Sequence, residues 1–94
     1  MEFEIHKNGN ELKINGIIKK ISEAESVIEA LKEINSTRIY IKIEDSFGLP
    51  SSIIGYLVKL NDEGKKVFLE VKSPVLYELL EDLNLISLFN VKKI

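Results

Sequence analysis

Apolar and polar residues change period several times along the chain, and each change marks an element. Phe3 and Ile5 alternate with polar neighbours over Glu2 to His6, and Leu12 and Ile14 do the same over Glu11 to Ile14. A period of two puts alternate side chains on opposite faces of a strand. Lys7-Asn8-Gly9-Asn10 between them supplies hairpin-turn residues, so two antiparallel strands are expected to open the domain. From Ser22 the period becomes helical. Ser22-Glu23-Ala24-Glu25 reads as a capping box, and Ala24, Val27, Ile28, Leu31 and Ile34 follow on one side, which predicts a first helix over about 23 to 34.

Arg38-Ile39-Tyr40-Ile41-Lys42-Ile43 has the β-branched and aromatic density of an interior strand. Glu44 to Ser52 has loop chemistry. Ile53, Ile54, Leu57, Val58 and Leu60 then mark a second helix that stops near Glu63-Gly64, where glycine takes the left-handed position after the last turn. Val67 to Val71 reads as another buried strand. Ser73-Pro74 is a cap followed by proline at the first helical position, and Leu76, Leu79, Leu80 and Leu83 supply one apolar stripe. Leu88 to Ile94 suits a short last strand with Phe89 and Val91 on one face. The order ββαβαβαβ predicts a single α/β domain over 1–94 with a mixed sheet of about five strands. Its helical crossovers make the later strands parallel, and its helices lie mainly on one face.

Composition narrows what such a domain does. The 94 residues are enough for one core and too few for two domains. Thirteen Lys and Arg stand against fifteen Asp and Glu, and a net charge of -2 offers no overall basic field for a phosphate backbone, which argues against nucleic acid as a partner. The absence of cysteine removes thiol catalysis and disulfide scaffolds, and suits a reducing cytoplasm. No secretory signal is visible at Met1 to His6, and no apolar run approaches the roughly 18 residues of a membrane span, so membrane insertion is not expected.

Catalytic chemistry finds little to work with. The single histidine, His6, sits on the opening strand with no recognisable nucleophile beside it. Glu2, Glu4 and His6 share a strand face, which reads as solvated surface or a weak divalent-ion site. Glu44-Asp45 would point to opposite sides if extended, a poor paired-carboxylate geometry and a better loop or cap. Gly64-Lys65-Lys66 lacks the upstream glycine and the Ser or Thr of a phosphate loop, and no cofactor is expected. Asn35-Ser36-Thr37 reads as a connector, Lys19-Lys20, Lys65-Lys66 and Lys92-Lys93 as solvated ends, and Glu23, Glu25, Glu29 and Glu33 as the outer side of the first helix. Tyr40, Tyr56 and Tyr77 fall in three elements and form no base-stacking set.

The run Ile39-Tyr40-Ile41-Lys42-Ile43-Glu44-Asp45 is followed by a loop bearing Ser and Gly, an apolar helix, Glu63-Gly64-Lys65-Lys66-Val67-Phe68-Leu69, Ser73-Pro74, and Leu79-Leu80-Glu81-Asp82-Leu83-Asn84-Leu85-Ile86-Ser87-Leu88-Phe89. It resembles the STAS domain of anti-sigma-factor antagonists. With Asn15-Gly16 where that family ends a strand in glycine, the resemblance covers nearly the whole chain; the family's usual last helix has no counterpart. STAS switch proteins carry Asp-Ser-Ser-Gly-Leu-Gly, with the second serine phosphorylated by a partner kinase. One register lays Asp45-Ser46-Phe47-Gly48-Leu49 on that motif, keeping aspartate, glycine and leucine but placing Phe47 at the phosphoacceptor. The other lays Pro50-Ser51-Ser52-Ile53-Ile54-Gly55 on it, keeping both serines and the last glycine.

A helix capped by Ser46 would carry Pro50 in its first full turn, losing a hydrogen bond and crowding the preceding turn, at a cost of about 3 kcal/mol. A start at Pro50 to Ser52 avoids this and favours Ser52 as the phosphoacceptor. Ser51 and Ser52 otherwise serve as plain caps. Gly55 costs about 1 kcal/mol in a helix and marks either a tight helix–sheet contact or an outward gap for a partner. Phe47 is expected as a core plug, or else as an exposed anchor.

The resemblance implies a non-enzymatic interaction domain, an anti-sigma-factor antagonist or related partner-switching regulator. It would dock through Asp45, Ser46, Phe47, Gly48, Ser51 and Ser52 and the Gly55, Tyr56 and Lys59 side of the second helix. The implied partner is an anti-sigma kinase or the ATPase of a lipid-transporting ABC system, the latter needing no phosphoserine. A small-ligand or nucleotide binder at the sheet's carboxyl edge, using Gly48 and the Ser51-Ser52 amides, is the remaining class.

Overall fold

The computed structural model describes residues 3–94. Five strands form one sheet in the order β1-β2-β3-β4-β5: β1 Glu4–Asn8, β2 Glu11–Asn15, β3 Arg38–Ile43, β4 Lys66–Val71 and β5 Lys92–Lys93. Helices α1 Ile21–Lys32, α2 Ser51–Asp62 and α3 Pro74–Asp82 make the crossovers. β1 and β2 are antiparallel, with Gly9 alone at positive φ in the two-residue turn, the pattern of a type II′ hairpin. Every later pairing is parallel, and β3 and β4 are neighbours as expected, with Ile41 opposite Leu69.

Each crossover advances one strand in the same direction. Right-handed connections therefore stack all three helices on one side of the sheet. The burial pattern agrees: Leu12, Ile14, Ile39, Ile41, Ile43, Val67, Leu69 and Val71 form the covered face and meet Val27, Leu31, Ile53, Leu57, Leu76 and Leu80 from the helices. β3 and β4 are interior strands of the sheet as expected, and their side chains are buried on the helix-covered face only. Met1 and Glu2 lie outside the described residues, and with them the Glu2 part of the Glu2–Glu4–His6 face; Glu4 Oε2 and His6 Nε2 are 3.7 Å apart on exposed side chains. Among the described residues no helix is long and apolar enough to cross a membrane, and no three His, Asp or Glu side chains gather as a metal site.

Several boundaries differ from those expected. α1 starts two residues early, because Glu23 and not Glu25 turns back: its Oε1 accepts the Lys19 and Lys20 amides at 2.8 Å, which makes Lys20 the cap. Ser22 lies inside the first turn, where its carbonyl accepts the Ser26 hydroxyl. α1 ends at Lys32, yet Ile34 beyond it is still buried. The stripe on α3 is narrower than expected, since Leu76 and Leu80 are buried while Leu79 and Leu83 are exposed.

The last strand shrinks to Lys92–Lys93. Asn84 takes a positive φ after α3, and the Asn84 and Leu85 amides donate to the Glu81 and Leu80 carbonyls in a Schellman closure. The chain then turns through 85–90 and drops the buried Phe89 against the core. The Phe89 carbonyl and the Asn90 side-chain amide bond to β4, at the Leu69 amide and the Val67 carbonyl, in place of ladder partners. The same Schellman closure, with Gly64 at φ 88°, ends α2 where expected.

Candidate functional site

The segment between β3 and α2 combines fixed and free residues. At the end of β3, Glu44 turns to the open side of the sheet, where its carboxylate lies 3.4 Å from Lys42, 3.7 Å from Lys72 and 3.8 Å from Lys13. Asp45 turns the other way, as alternation requires. Its Oδ2 accepts the Gly16 amide at 2.6 Å, where Gly16 holds a φ of 89° that other residues seldom adopt. Ser46 is 1% exposed; its hydroxyl accepts the Ile18 amide at 3.3 Å and donates to the Gly48 carbonyl at 2.7 Å. The expectation that Ser46 contacts a partner is therefore corrected: its hydroxyl is spent on tying the loop to the segment before α1.

Phe47 swings out and is 57% exposed. The residue that plugs the core is Leu49, two positions on, so Phe47 is exposed and is not the plug. Gly48 is half-buried between them. Pro50 then caps α2 through its carbonyl, which accepts the Ile53 and Ile54 amides at 3.0 and 3.2 Å. The helix begins at Ser51, inside the window that the proline argument set, and no helical bonding runs through Phe47 to Leu49.

Ser51 and Ser52 occupy the first two positions of α2 and both are exposed. Among the described residues neither hydroxyl makes a hydrogen bond, so neither serves as the cap. Ser52, Gly55, Tyr56 and Lys59 follow at three- and four-residue spacing, to one side of the buried Ile53, Leu57 and Leu60. Tyr56 is half-buried and Lys59 exposed. A Cβ built on Gly55 meets nothing within 4 Å, which excludes a tight helix–sheet contact and leaves an outward gap.

Next to Ser52 the starts of α1 and α2 enclose a groove of about 280 Å³, lined by Lys19, Lys20, Ile21, Ile28 and Pro50 as well as Ser52. Ile21 stands 80% exposed at its rim. The Glu23 carboxyl, close by in sequence, is held below its usual range by the Lys20 amide and then the Lys19 amide, since hydrogen bonds to the ionised form favour it. The reading of Lys19-Lys20 as a solvated end passed over this groove. Ile21, beside the two lysines, was the available signal, and reading Ser22 as the cap left it outside the helix whose first position it occupies.

A second feature lies on the open side of the sheet. Tyr40 and Phe68, paired across β3 and β4, stack with ring centroids 4.9 Å apart and planes 15° from parallel. The three tyrosines remain far apart in the chain, but Tyr40 finds its aromatic partner in a phenylalanine. In comparisons with known proteins, no family model, curated sequence or solved structure matches this chain, so its functional reading rests on its own geometry.

Proposed function

We propose that the domain is a non-enzymatic, STAS-like interaction module, an anti-sigma-factor antagonist or related partner-switching regulator gated by phosphorylation of Ser52. The observation that carries this reading is the free Ser52 hydroxyl on the first turn of α2, exposed and unused by the fold. A kinase reaches such a hydroxyl without unfolding the helix. Phe47, the outward gap at Gly55 and Lys59 supply the surrounding contact surface, and the anchoring of Asp45 and Ser46 keeps that surface preorganised before a partner arrives. A phosphate adds about -1.5 to -2 charges. The helix dipole accepts that charge locally, so the effect falls on an acidic or closely fitted partner.

The test is Ser52→Asp beside Ser52→Ala. A carboxylate at this position is expected to raise stability by about 0.3 to 1 kcal/mol while weakening partner binding. Melting temperatures and calorimetric titration with the cognate ATPase or kinase would show stability and affinity moving in opposite directions, which misfolding cannot imitate. Equal binding by wild type, Ser52→Asp and Ser52→Ala would remove the switch. Phe47 supports the second reading, a constitutive brace on the ATPase of a lipid-transporting ABC system, because an exposed aromatic anchor needs no phosphate to engage.

A further inference from the structure

The open face of the sheet is built of charge and rings in a regular order. Along β3 and β4, successive outward rows pair Arg38 with Lys66, Tyr40 with Phe68, and Lys42 with Glu70, at roughly 6.6 Å per row. Lys13 stands opposite Lys42 on β2, and Lys72 follows beyond Glu70. Over these strands Lys13, Arg38, Lys42, Lys66 and Lys72 outnumber Glu11, Glu44 and Glu70, although the chain as a whole carries fifteen acids against thirteen bases. The whole-chain balance that argued against an anionic partner thus averages over a face of opposite sign. Of its acids, Glu44 is largely covered and its charge is shared among three lysines.

Tyr40 has Phe68 against one side of its ring. A groove of about 240 Å³ runs past Tyr40 across the strands, bounded by His6 and Asn8 on β1, Glu11 and Lys13 on β2, Lys42 on β3 and Glu70 on β4. The groove combines a flat ring, hydrogen-bonding groups of both kinds at Asn8 and Glu11, and ammonium groups at one end. Among the described residues no helix crosses this face, and Tyr40, although a large ring, is 38% exposed there. A nucleic-acid strand presents the matching series: anion, planar ring with donors and acceptors on its edge, anion.

We propose that this open face binds single-stranded nucleic acid, with a base placed in the groove against Tyr40 and the flanking phosphates held by Lys13 and Lys42 on one side and by Arg38 and Lys66 on the other. The stack supplies sequence-tolerant affinity and the lysines supply salt-dependent affinity. Duplex is excluded, because its bases are already stacked and cannot reach the ring. This site is separate from Ser52 and does not depend on the switch reading.

Fluorescence anisotropy of the full chain with labelled single strands of about 12 nucleotides, RNA and DNA in parallel, tests this. Saturable binding is expected in the roughly 1 to 100 µM range at low salt, with a linear loss on raising salt. Tyr40→Leu, which keeps an apolar strand residue but removes the ring, should weaken binding by roughly tenfold, and Phe68→Leu should act in the same direction. Lys42→Gln should lower the salt slope by about one. Phe47→Ala, at the other site, should change nothing, and melting curves confirm that each variant is folded. No saturable binding, equal affinity for duplex, or affinity indifferent to Tyr40→Leu overturns the proposal. So does sedimentation as a dimer that Tyr40→Leu dissociates, which would assign the face to a second copy of the chain.

Discussion

Residues 38 to 43 live in two environments at once. On one side Ile39, Ile41 and Ile43 are sealed under the helices; on the other Arg38, Tyr40 and Lys42 face outward, and only the Tyr40–Phe68 stack gives apolar cover. The loop that follows repeats the division residue by residue, with Ser46 and Leu49 inside and Phe47 outside. The inward set makes contacts that folding requires. The outward set carries aromatic and charged groups that folding does not require, and that is where a surface for partners is to be sought.

The largest effect should appear where this division is sharpest. Ile41→Ala leaves a cavity beneath the helices and is expected to cost about 2 to 5 kcal/mol. Tyr40→Ala, one residue away, loses mainly its stacking and partial cover, about 0.5 to 1.5 kcal/mol. Urea denaturation of both variants checks this. Equal losses would mean that the open face belongs to the core, and the comparison would collapse.

The loop provides the next contrast. Ser46→Ala strands the Ile18 amide and the Gly48 carbonyl in a buried setting, and about 1 to 3 kcal/mol of stability should go with it. Phe47→Ala, with most of its ring already in water, should stay within about 0.5 kcal/mol of wild type. If Phe47 proves the costlier of the two, it packs where a core plug would, and the contrast between the two residues is lost.

How much of this could be read from the chain depends on how local the determining contact is. The start of α2 was legible because proline geometry is a property of one residue, and its end because Gly64 alone suits the left-handed turn. The parallel pairing of β3 with β4 followed from crossover topology. The start of α1 was not legible, since Glu23 and Glu25 can each close a box, on Lys20 or on Ser22, and only the fold chooses Glu23. The short β5 depended on Phe89 finding room in a core assembled by every other element. At the candidate site, Ser51 and Ser52 were legible as a helix start, but Ser46 and Phe47 exchanged their expected inward and outward places. A loop lacks the period of a strand or helix, so its sequence does not say which side chain turns in. The Tyr40–Phe68 stack shows a different difficulty. Arg38, Tyr40 and Lys42 do alternate with isoleucines, yet a dense β-branched run looks the same whether one face or both are covered.

The smallest expected effect lies at the rim of the covered face, where α1 begins. Glu23 is half-buried there, and its carboxylate takes the Lys20 and Lys19 amides and is thereby held below its usual range. A carboxyl whose folded-state value is depressed stabilises the fold once the pH is above the unfolded-state value. That contribution fades as pH falls from the unfolded value through the lower folded one, because the neutral acid gives up most of its attraction for the amides. Glu23→Gln still offers a carbonyl oxygen to the same amides but has no proton to gain. Melting temperature followed from neutral pH into the acid range should therefore decline less steeply for Glu23→Gln than for wild type, with the two curves converging at the acid end. Parallel curves over the whole range would show that the Lys19 and Lys20 amides do not depend on the charge of Glu23, and the capping of α1 would then rest on backbone geometry at Lys20 alone.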